Sequence, residues 1–370
     1  MDEMLLEQSR SAQDFAGLDY VRAAFQRCAK NFPIWGSPLF GALSAGIAED
    51  ADLLALAAKG QRHGEHFLLL TAVHYLLLRD PDDALGSYFP SIADRSAPSM
   101  DAFPAFKRFC WKRQTEIEAI LANRTVQQTW VDRCSRIMPA LSRVGDEVEE
   151  PLNLIEIGCS AGILLTFDQY AYDIKNRGRI GRADAPITLP LDLHGGPLPR
   201  IPDIGKRIGI DLHPIDLKSE DARIWIAAQT YPESHEQRSR LMTALNIVRQ
   251  TNIQTFRGDA LSELPDILSW APSPVCVYHS SCLMYWSQPA KDALHQLLLD
   301  SSHARDIYHV SVEPPEGHLS PSDTTGVRAL DTAPKPMAEV IISHYQKGSA
   351  RRRYVAHSNA GSTSYRWVEG

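Results

Sequence analysis

At 370 residues the chain can bury a large core, and 44% hydrophobic with 22% charged residues is ordinary for a globular protein with room for two domains. The net charge of −7 speaks against nucleic acid or an anionic membrane as partner. The six cysteines are scattered without a C-x-x-C pair, the start is acidic and amphipathic, and no apolar run reaches membrane-spanning length, so a cytoplasmic protein without a disulfide framework is expected.

Residues 1–145 read as a helical domain. Phe15, Leu18, Val21, Phe25 and Cys28 share one helical face. Ser37-Pro38 reads as an N-cap followed by Pro at the first helical position, with Leu39, Phe40, Leu43 and Ile47 behind it. A short helix over Leu53 to Ala58 follows. Phe67 to Leu78 is apolar all round and predicts a buried helix, with His74 as a hydrogen-bonded core residue. Asp101 looks like the cap of a long helix carrying Phe103, Phe106, Phe109, Ile117 and Leu121. A further helix carries Val126, Trp130, Cys134, Ile137 and Leu141. The polar stretch from Arg143 to Glu150 marks the domain boundary.

The second domain, 151–370, is organised around N-L-I-E-I-G-C-S-A-G, residues 153–162. Leu154 to Ile157 has the length and composition of a strand buried on both faces. Gly158-Cys159-Ser160-Ala161-Gly162 then forms a tight turn, and a helix-length apolar segment follows. Three readings are open: a nucleotide-type loop of the form acid-x-Gly-x-x-x-Gly, a G-x-S-x-G nucleophile elbow with Ser160 as a hydrolase nucleophile, or a small-residue turn with no chemistry. Glu156 favours the first, because a carboxylate closing a buried strand is costly unless a cationic ligand uses it.

The Gly/Pro-containing segment 168–207 reads as an insertion over the mouth of the site, with an alternating hairpin arm at Ile187 to Leu193. A second strand, Arg207 to Ile210, ends in Asp211-Leu212, and an acid there is the usual ribose-holding device, although the spacing from the glycine loop is long. Helices over Glu220 to Thr230 and Ser234 to Gln250 lead to a third strand near Ile253 to Arg257 and to Gly258-Asp259-Ala260. The fourth strand, Val275 to Tyr278, runs into His279, and the fifth, Ile307 to Val312, into Glu313. The tail alternates as antiparallel strands would. Ligands of open parallel sheets sit outside the carboxyl ends of the strands, which puts Gly158, Asp211, Asp259, His279 and Glu313 along one edge. No metal-ligand cluster is evident.

E-I-G-C-S-A-G, G-I-D-L-H-P and G-D-A-L together resemble the class I S-adenosylmethionine-dependent methyltransferases. With S-P-L-F at 37–40, A-V-H-Y-L-L-L-R at 72–79 and F-D-Q-Y-A-Y-D at 167–173, the chain is similar over nearly its full length to the bacterial domain of unknown function 2332 family. The resemblance implies an α/β, Rossmann-type, mostly parallel seven-stranded sheet with an N-terminal all-helical cap. It further implies that Glu156, Gly158 and Gly162 hold the methionyl end of S-adenosylmethionine, Asp211 the ribose, and Asp259 with Ala260 the adenine, with Cys159, Ser160 and Leu212 also in the cofactor site and no metal.

The expected activity is methyl transfer to a small molecule, with His279 as base or orienter. Tyr278, Tyr172 and Trp130 are candidate aromatic faces for the sulfonium, alongside Tyr170 and Tyr285. Three rivals stand beside it: an intramolecular cyclase giving azetidine-2-carboxylate and methylthioadenosine, a serine hydrolase using Ser160, and a binding protein that keeps S-adenosylmethionine intact.

Overall fold

The computed structural model describes residues 17–60, 65–319, 324–325, 338–358 and 363–368. The described chain divides into two compact units, one of residues up to 129 together with 217–242, the other of 130–216 with 243 onward. The boundary therefore falls at Thr129 rather than within 145–151, and a segment from the middle of the chain joins the helical unit.

In the helical unit, α1 (Leu18–Ile34) buries Val21, Phe25, Cys28 and Phe32 on one face, while Phe15 lies outside the described residues. Ser37 caps α2 (Pro38–Ala48), accepting from the Phe40 amide, with Pro38 in the first turn. Glu233 reinforces that end: one carboxylate oxygen accepts from the Leu39 amide and the other from the Ser37 hydroxyl, each at 2.8 Å. A carboxylate there complements the helix dipole. Next come α3 (Ala51–Ala57) and α4 (Glu65–Arg79), in which every residue from Phe67 to Leu77 is buried.

The long helix expected from Asp101 is broken in two, α5 (Phe103–Lys112) and α6 (Gln114–Asn123), at Arg113, where φ −111° and ψ 23° leave the helical region. Asp101 sits in a 3-10 turn and caps neither helix. The helix expected over Val126 to Leu141 also starts late. Residues 124–130 lie outside any helix, a 3-10 turn covers Val131–Arg133, and α7 spans Cys134–Gly145 within the second unit. The helical unit is completed by α8 (Glu220–Ala228) and the first half of α9 (His235–Gln250).

The second unit is built on one mixed sheet. Its strands are β1 (Leu152–Ile157), β2 (Ala171–Ile174), β3 (Gly178–Gly181), β4 (Thr188–His194), β5 (Ile204–Asp211), β6 (Gln254–Arg257), β7 (Val275–Ser280), β8 (Ile307–Glu313), β9 (Thr324–Thr325), β10 (Ala338–Gln346), β11 (Ser349–Ser358) and β12 (Ser364–Trp367). They run in the order β3-β2-β4-β12-β11-β10-β8-β7-β1-β5-β6, with β9 on β11. The five strands β8-β7-β1-β5-β6 are parallel, and β10, β11 and β12 follow antiparallel.

The sheet thus has twelve described strands where seven are expected. Three of the extra strands come from segment 168–207. Instead of covering the mouth of a site, β2, β3 and β4 continue the sheet at its far end through β12. The alternating arm at 187–193 pairs parallel with β2 and β12, so it is no hairpin arm.

The apolar segment after the glycine turn is not an α-helix either. It forms a 3-10 turn over Leu164–Gln169, broken at Thr166 (φ −112°, ψ 16°), and leads straight into β2. The Thr166 hydroxyl bonds back to the Ile163 carbonyl at 2.8 Å, a local bond that competes with helix continuation.

Alternation along the strands sorts the central residues onto two faces. Ile155, Ile157, Ile208, Ile210, Val275, Val277 and Ile307 form one core with Leu264, Ile267 and Leu268 of α10 (Ala260–Trp270) and Leu294 and Leu298 of α11 (Gln288–Ser301). Glu156, Gly209 and Tyr278, mutually in register, belong to the other face.

Candidate functional site

In the order β6-β5-β1-β7-β8, the parallel strand next in the chain after β1 is β5 on one side, while β7 lies on the other. Such a reversal opens a crevice at the carboxyl ends of the two strands. The glycine turn leaves β1 there. Gly158 and Gly162 both have φ 75°, which their lack of a Cβ permits. Ser160 takes φ 50° without that freedom, and so does Ser281 at φ 52° in the turn leaving β7. Two strained serines thus flank the switch point, at a cost on the order of 1–3 kcal/mol each.

Asp211, at the end of β5, fixes the glycine turn. Its Oδ2 accepts from the Ser160 amide and its Oδ1 from the His213 amide, both at 2.8 Å. A carboxylate oxygen has capacity for a further donor. Asp259 caps α10 through Oδ1 at 2.9 Å from the Leu261 amide.

Glu156 is 1% exposed and accepts from the Tyr278 hydroxyl at 3.2 Å. Burial, with the Asp211 charge adding to it, pushes its carboxyl well above the ordinary range. The Tyr278 bond and the Arg133 charge oppose that shift. Burial beside Glu156 also pushes the Tyr278 phenol up. The site therefore holds an acid whose carboxylate form further positive charge would stabilise.

Arg133 and Arg136 supply basic groups that the sequence patterns did not single out. Arg133 is half-buried near Tyr285, Glu313, Glu156 and Cys282. Arg136, one turn on in α7, is 6% exposed. The signal that could have found them is the placement of two arginines on one helical face of an otherwise apolar amphipathic segment.

Glu313, fully buried at the end of β8, organises the loop after β7. Its Oε1 accepts from the Cys282 and Leu283 amides at 2.8 and 3.1 Å, its Oε2 from the Met284 amide at 3.3 Å. His279 Nδ1 lies 2.7 Å from the same Oε1, and its Nε2 lies 3.1 Å from His309 Nε2. A carboxylate only accepts, so Nδ1 of His279 carries a proton toward Glu313, and one of the two facing Nε2 atoms donates to the other. Burial holds His309 well below its ordinary pKa, which keeps its ring neutral.

Of the thirteen residues expected in a site, the structure gathers Glu156, Gly158, Cys159, Ser160, Gly162, Asp211 and Tyr278 around the β1 turn, with Leu212, Asp259 and Ala260 along the same edge. Leu212 is half exposed, and Cys159 and Ala260 are buried. Cys159 packs its sulfur against Gly209, where an added Cβ would stand 2.5 Å away.

His279 is not brought to Glu156. It is fully buried, on the face that carries Val275 and Val277, and is engaged by Glu313 and His309. Tyr172 is fully buried on β2, its hydroxyl donating to the Phe167 carbonyl at 2.7 Å, and Tyr170 shares a 2.8 Å bond with Thr166. Trp130 is half-buried just ahead of the 3-10 turn that carries Arg133. Of the aromatic candidates, Tyr285 is 57% exposed and Tyr278 touches the buried carboxylate.

Among the described residues no group of three or more His, Cys, Asp or Glu side chains could hold a metal ion, and no helix is long and apolar enough to cross a membrane. A family model described as "Uncharacterized protein conserved in bacteria (DUF2332)" matches residues 22–367. No curated protein matches the chain.

Proposed function

The chain belongs to the DUF2332 family of bacterial proteins, and for this member we propose a class I methyltransferase-like sheet unit that uses S-adenosylmethionine to methylate a small acceptor. The observation that carries the reading is the row of groups at one sheet edge: Glu156 beneath the glycine turn of β1, Asp211 closing β5 and Asp259 following β6. Ligands of open parallel sheets bind there.

The residues fit such a ligand on an independent ground. Ser280, 5% exposed at the end of β7, has a hydroxyl with no hydrogen-bond partner among the described residues. It stands two residues beyond Tyr278, as Gly158 stands two beyond Glu156, and those two residues are in register. Buried hydroxyls are nearly always paired, so an orphan beside the glycine turn suits a ligand partner. Glu156 would take the ammonium of the methionyl end, Asp211 the ribose hydroxyls and the free oxygen of Asp259 the adenine edge.

When bound, S-adenosylmethionine supplies a preactivated electrophilic carbon. The protein's part is then to orient, to exclude water and to place positive charge against Glu156; positioning of this kind contributes roughly 7–11 kcal/mol. Tyr278, hydrogen-bonded to Glu156, orients that carboxylate. No side chain at the turn is poised as a strong base, which suits an acceptor that is itself nucleophilic.

The test is incubation of the purified protein with S-adenosylmethionine, alone and with small-molecule acceptors, the nucleoside products being read by mass spectrometry. S-adenosylhomocysteine formed with an acceptor supports methyl transfer. Methylthioadenosine formed without one, together with a cyclic amino acid, replaces that reading with the intramolecular reaction. Failure to bind S-adenosylmethionine overturns the assignment and returns attention to Ser160.

A further inference from the structure

Two buried polar atoms on neighbouring strands face the same side of the sheet and have no hydrogen-bond partner among the described residues: Nδ1 of His309 on β8 and Oγ of Ser343 on β10. His309 is 1% exposed and Ser343 is fully buried. The two residues are Cα partners in the antiparallel β8–β10 pair. Side chains of such partners leave the same face, with Cβ atoms about 4.5–5.5 Å apart. The ring of Tyr345, two residues beyond Ser343 and so on the same face, lies 6.3 Å from the His309 ring. His309 and Ser343 nevertheless do not bond each other.

Both atoms call for a partner. Burial keeps His309 neutral, with His279 and Arg352 acting in the same direction. A neutral imidazole has one donor nitrogen and one acceptor nitrogen. Nε2 of His309 is engaged with His279 Nε2 at 3.1 Å, so Nδ1 must be served from its other side. Buried polar atoms are nearly always paired, and two that face each other without a direct bond are commonly bridged by water. Val277, His309, Ser343 and Arg352 follow one another in register across β7, β8, β10 and β11. Serine is the smallest side chain of that row, and a polar position beside a small residue is where a buried water is held.

We infer that one ordered water molecule bridges Nδ1 of His309 and Oγ of Ser343. It extends the chain Glu313–His279–His309 onto β10, so that hydrogen bonds run unbroken from the Cys282 amide, in the loop after β7, to the antiparallel half of the sheet. Water donates as readily as it accepts, so it serves Nδ1 whichever of the two facing Nε2 atoms carries the proton. The site holds solvent and not substrate, and it stands independently of any ligand at the β1 edge.

The test compares the wild type with S343V and S343T. Val and Thr are both β-branched and of similar size, so the two variants differ in the hydroxyl far more than in packing. S343A replaces S343V if that variant does not fold. The readouts are high-resolution crystal structures and nuclear magnetic resonance of the histidine ring nitrogens, the His309 signals being assigned by their loss in H309Q. The wild type should show a water about 2.7–3.2 Å from both His309 Nδ1 and Ser343 Oγ, with magnetisation transfer between a long-lived water and the His309 ring. S343V should lose the bridge and shift the Nδ1 signal of His309, while S343T, which keeps a hydroxyl, should restore it. A direct bond between Ser343 Oγ and His309 Nδ1 in the wild type, or the absence of any water between them, overturns the site. So does a His309 Nδ1 signal that S343V or S343A leaves unchanged.

Discussion

Glu156 and His279 lie on opposite faces of the same sheet, although both close parallel strands at the same edge. Glu156 is in register with Tyr278, so the next residue, His279, turns to the far side and meets Glu313 and His309. The two clusters therefore have separate roles, and separate perturbations should reveal them.

Burial pushes the Glu156 carboxyl well above its ordinary range, so its folded-state pKa lies above the unfolded one. Such an acid lowers stability as the pH rises above the unfolded value, because only the unfolded chain ionises freely. E156Q should therefore stabilise the empty protein at pH 7 by roughly 1–2 kcal/mol while weakening S-adenosylmethionine binding about tenfold or more. Urea unfolding and calorimetry check the two halves. A variant that is both less stable and equally avid would contradict the assignment of Glu156 as a cation partner.

Glu313 secures the loop after β7 through three amides. E313Q turns a donor toward those donors and should cost about 2–4 kcal/mol. Hydrogen exchange should accelerate at the Cys282, Leu283 and Met284 amides more than at the amides of β7. Uniform acceleration across both would show that Glu313 supports the sheet generally and not the loop.

His74, in the helical unit, is fully buried, with Nδ1 2.9 Å from the Ala228 carbonyl and Nε2 2.8 Å from the Ser91 hydroxyl. Burial, with the Arg238 charge, lowers its pKa to about 3. Because the folded pKa is depressed below the unfolded value of about 6.5, its contribution is complete above pH 6.5 and is lost as pH falls toward 3. Within that window stability should fall by about 1.4 kcal/mol per pH unit from this group. H74N should flatten the slope between pH 6 and 4, measured by urea midpoints, and an unchanged slope would assign the acid sensitivity elsewhere.

Gly158 is held by geometry from two directions. Its φ is 75°, and an added Cβ would stand 2.5 Å from Cys282 Sγ. G158A should cost about 2–4 kcal/mol, part backbone strain and part overlap. C282A should recover the overlap part in the double variant, about 1–2 kcal/mol. Strict additivity of the two changes would mean that the sulfur yields freely.

The parallel core of the sheet was legible because Leu154-Ile155 and Val275-Cys276-Val277 are short apolar runs buried on both faces, and each ends in a polar residue. The Ser37-Pro38 cap was legible because its donors and acceptors are local. What escaped was non-local. Ile187 to Leu193 alternates as any strand would, and nothing near it reveals that its partners are β2 and the distant β12. Leu164 to Phe167 is apolar enough for a helix, but Thr166 and the return into β2 shorten it to a 3-10 turn. Trp130 and Val126 sit at helical spacing in a stretch that forms no helix. For the site, the glycine turn and the acids carry recognisable spacing, whereas Arg133 and Arg136 acquire meaning only when α7 is laid against strands that come later in the chain.

The placement of β12 has a consequence for how the molecule is made. Ser364–Trp367 bridges β11 to β4, so among the described strands the arm built by β2, β3 and β4 pairs with the main sheet only through those late residues. Until β12 pairs, the edge of β4 is open during synthesis, and closure there depends on contacts remote in sequence, which form slowly. Aggregation of nascent chains is thus most threatening in that interval, at the open flank of β4.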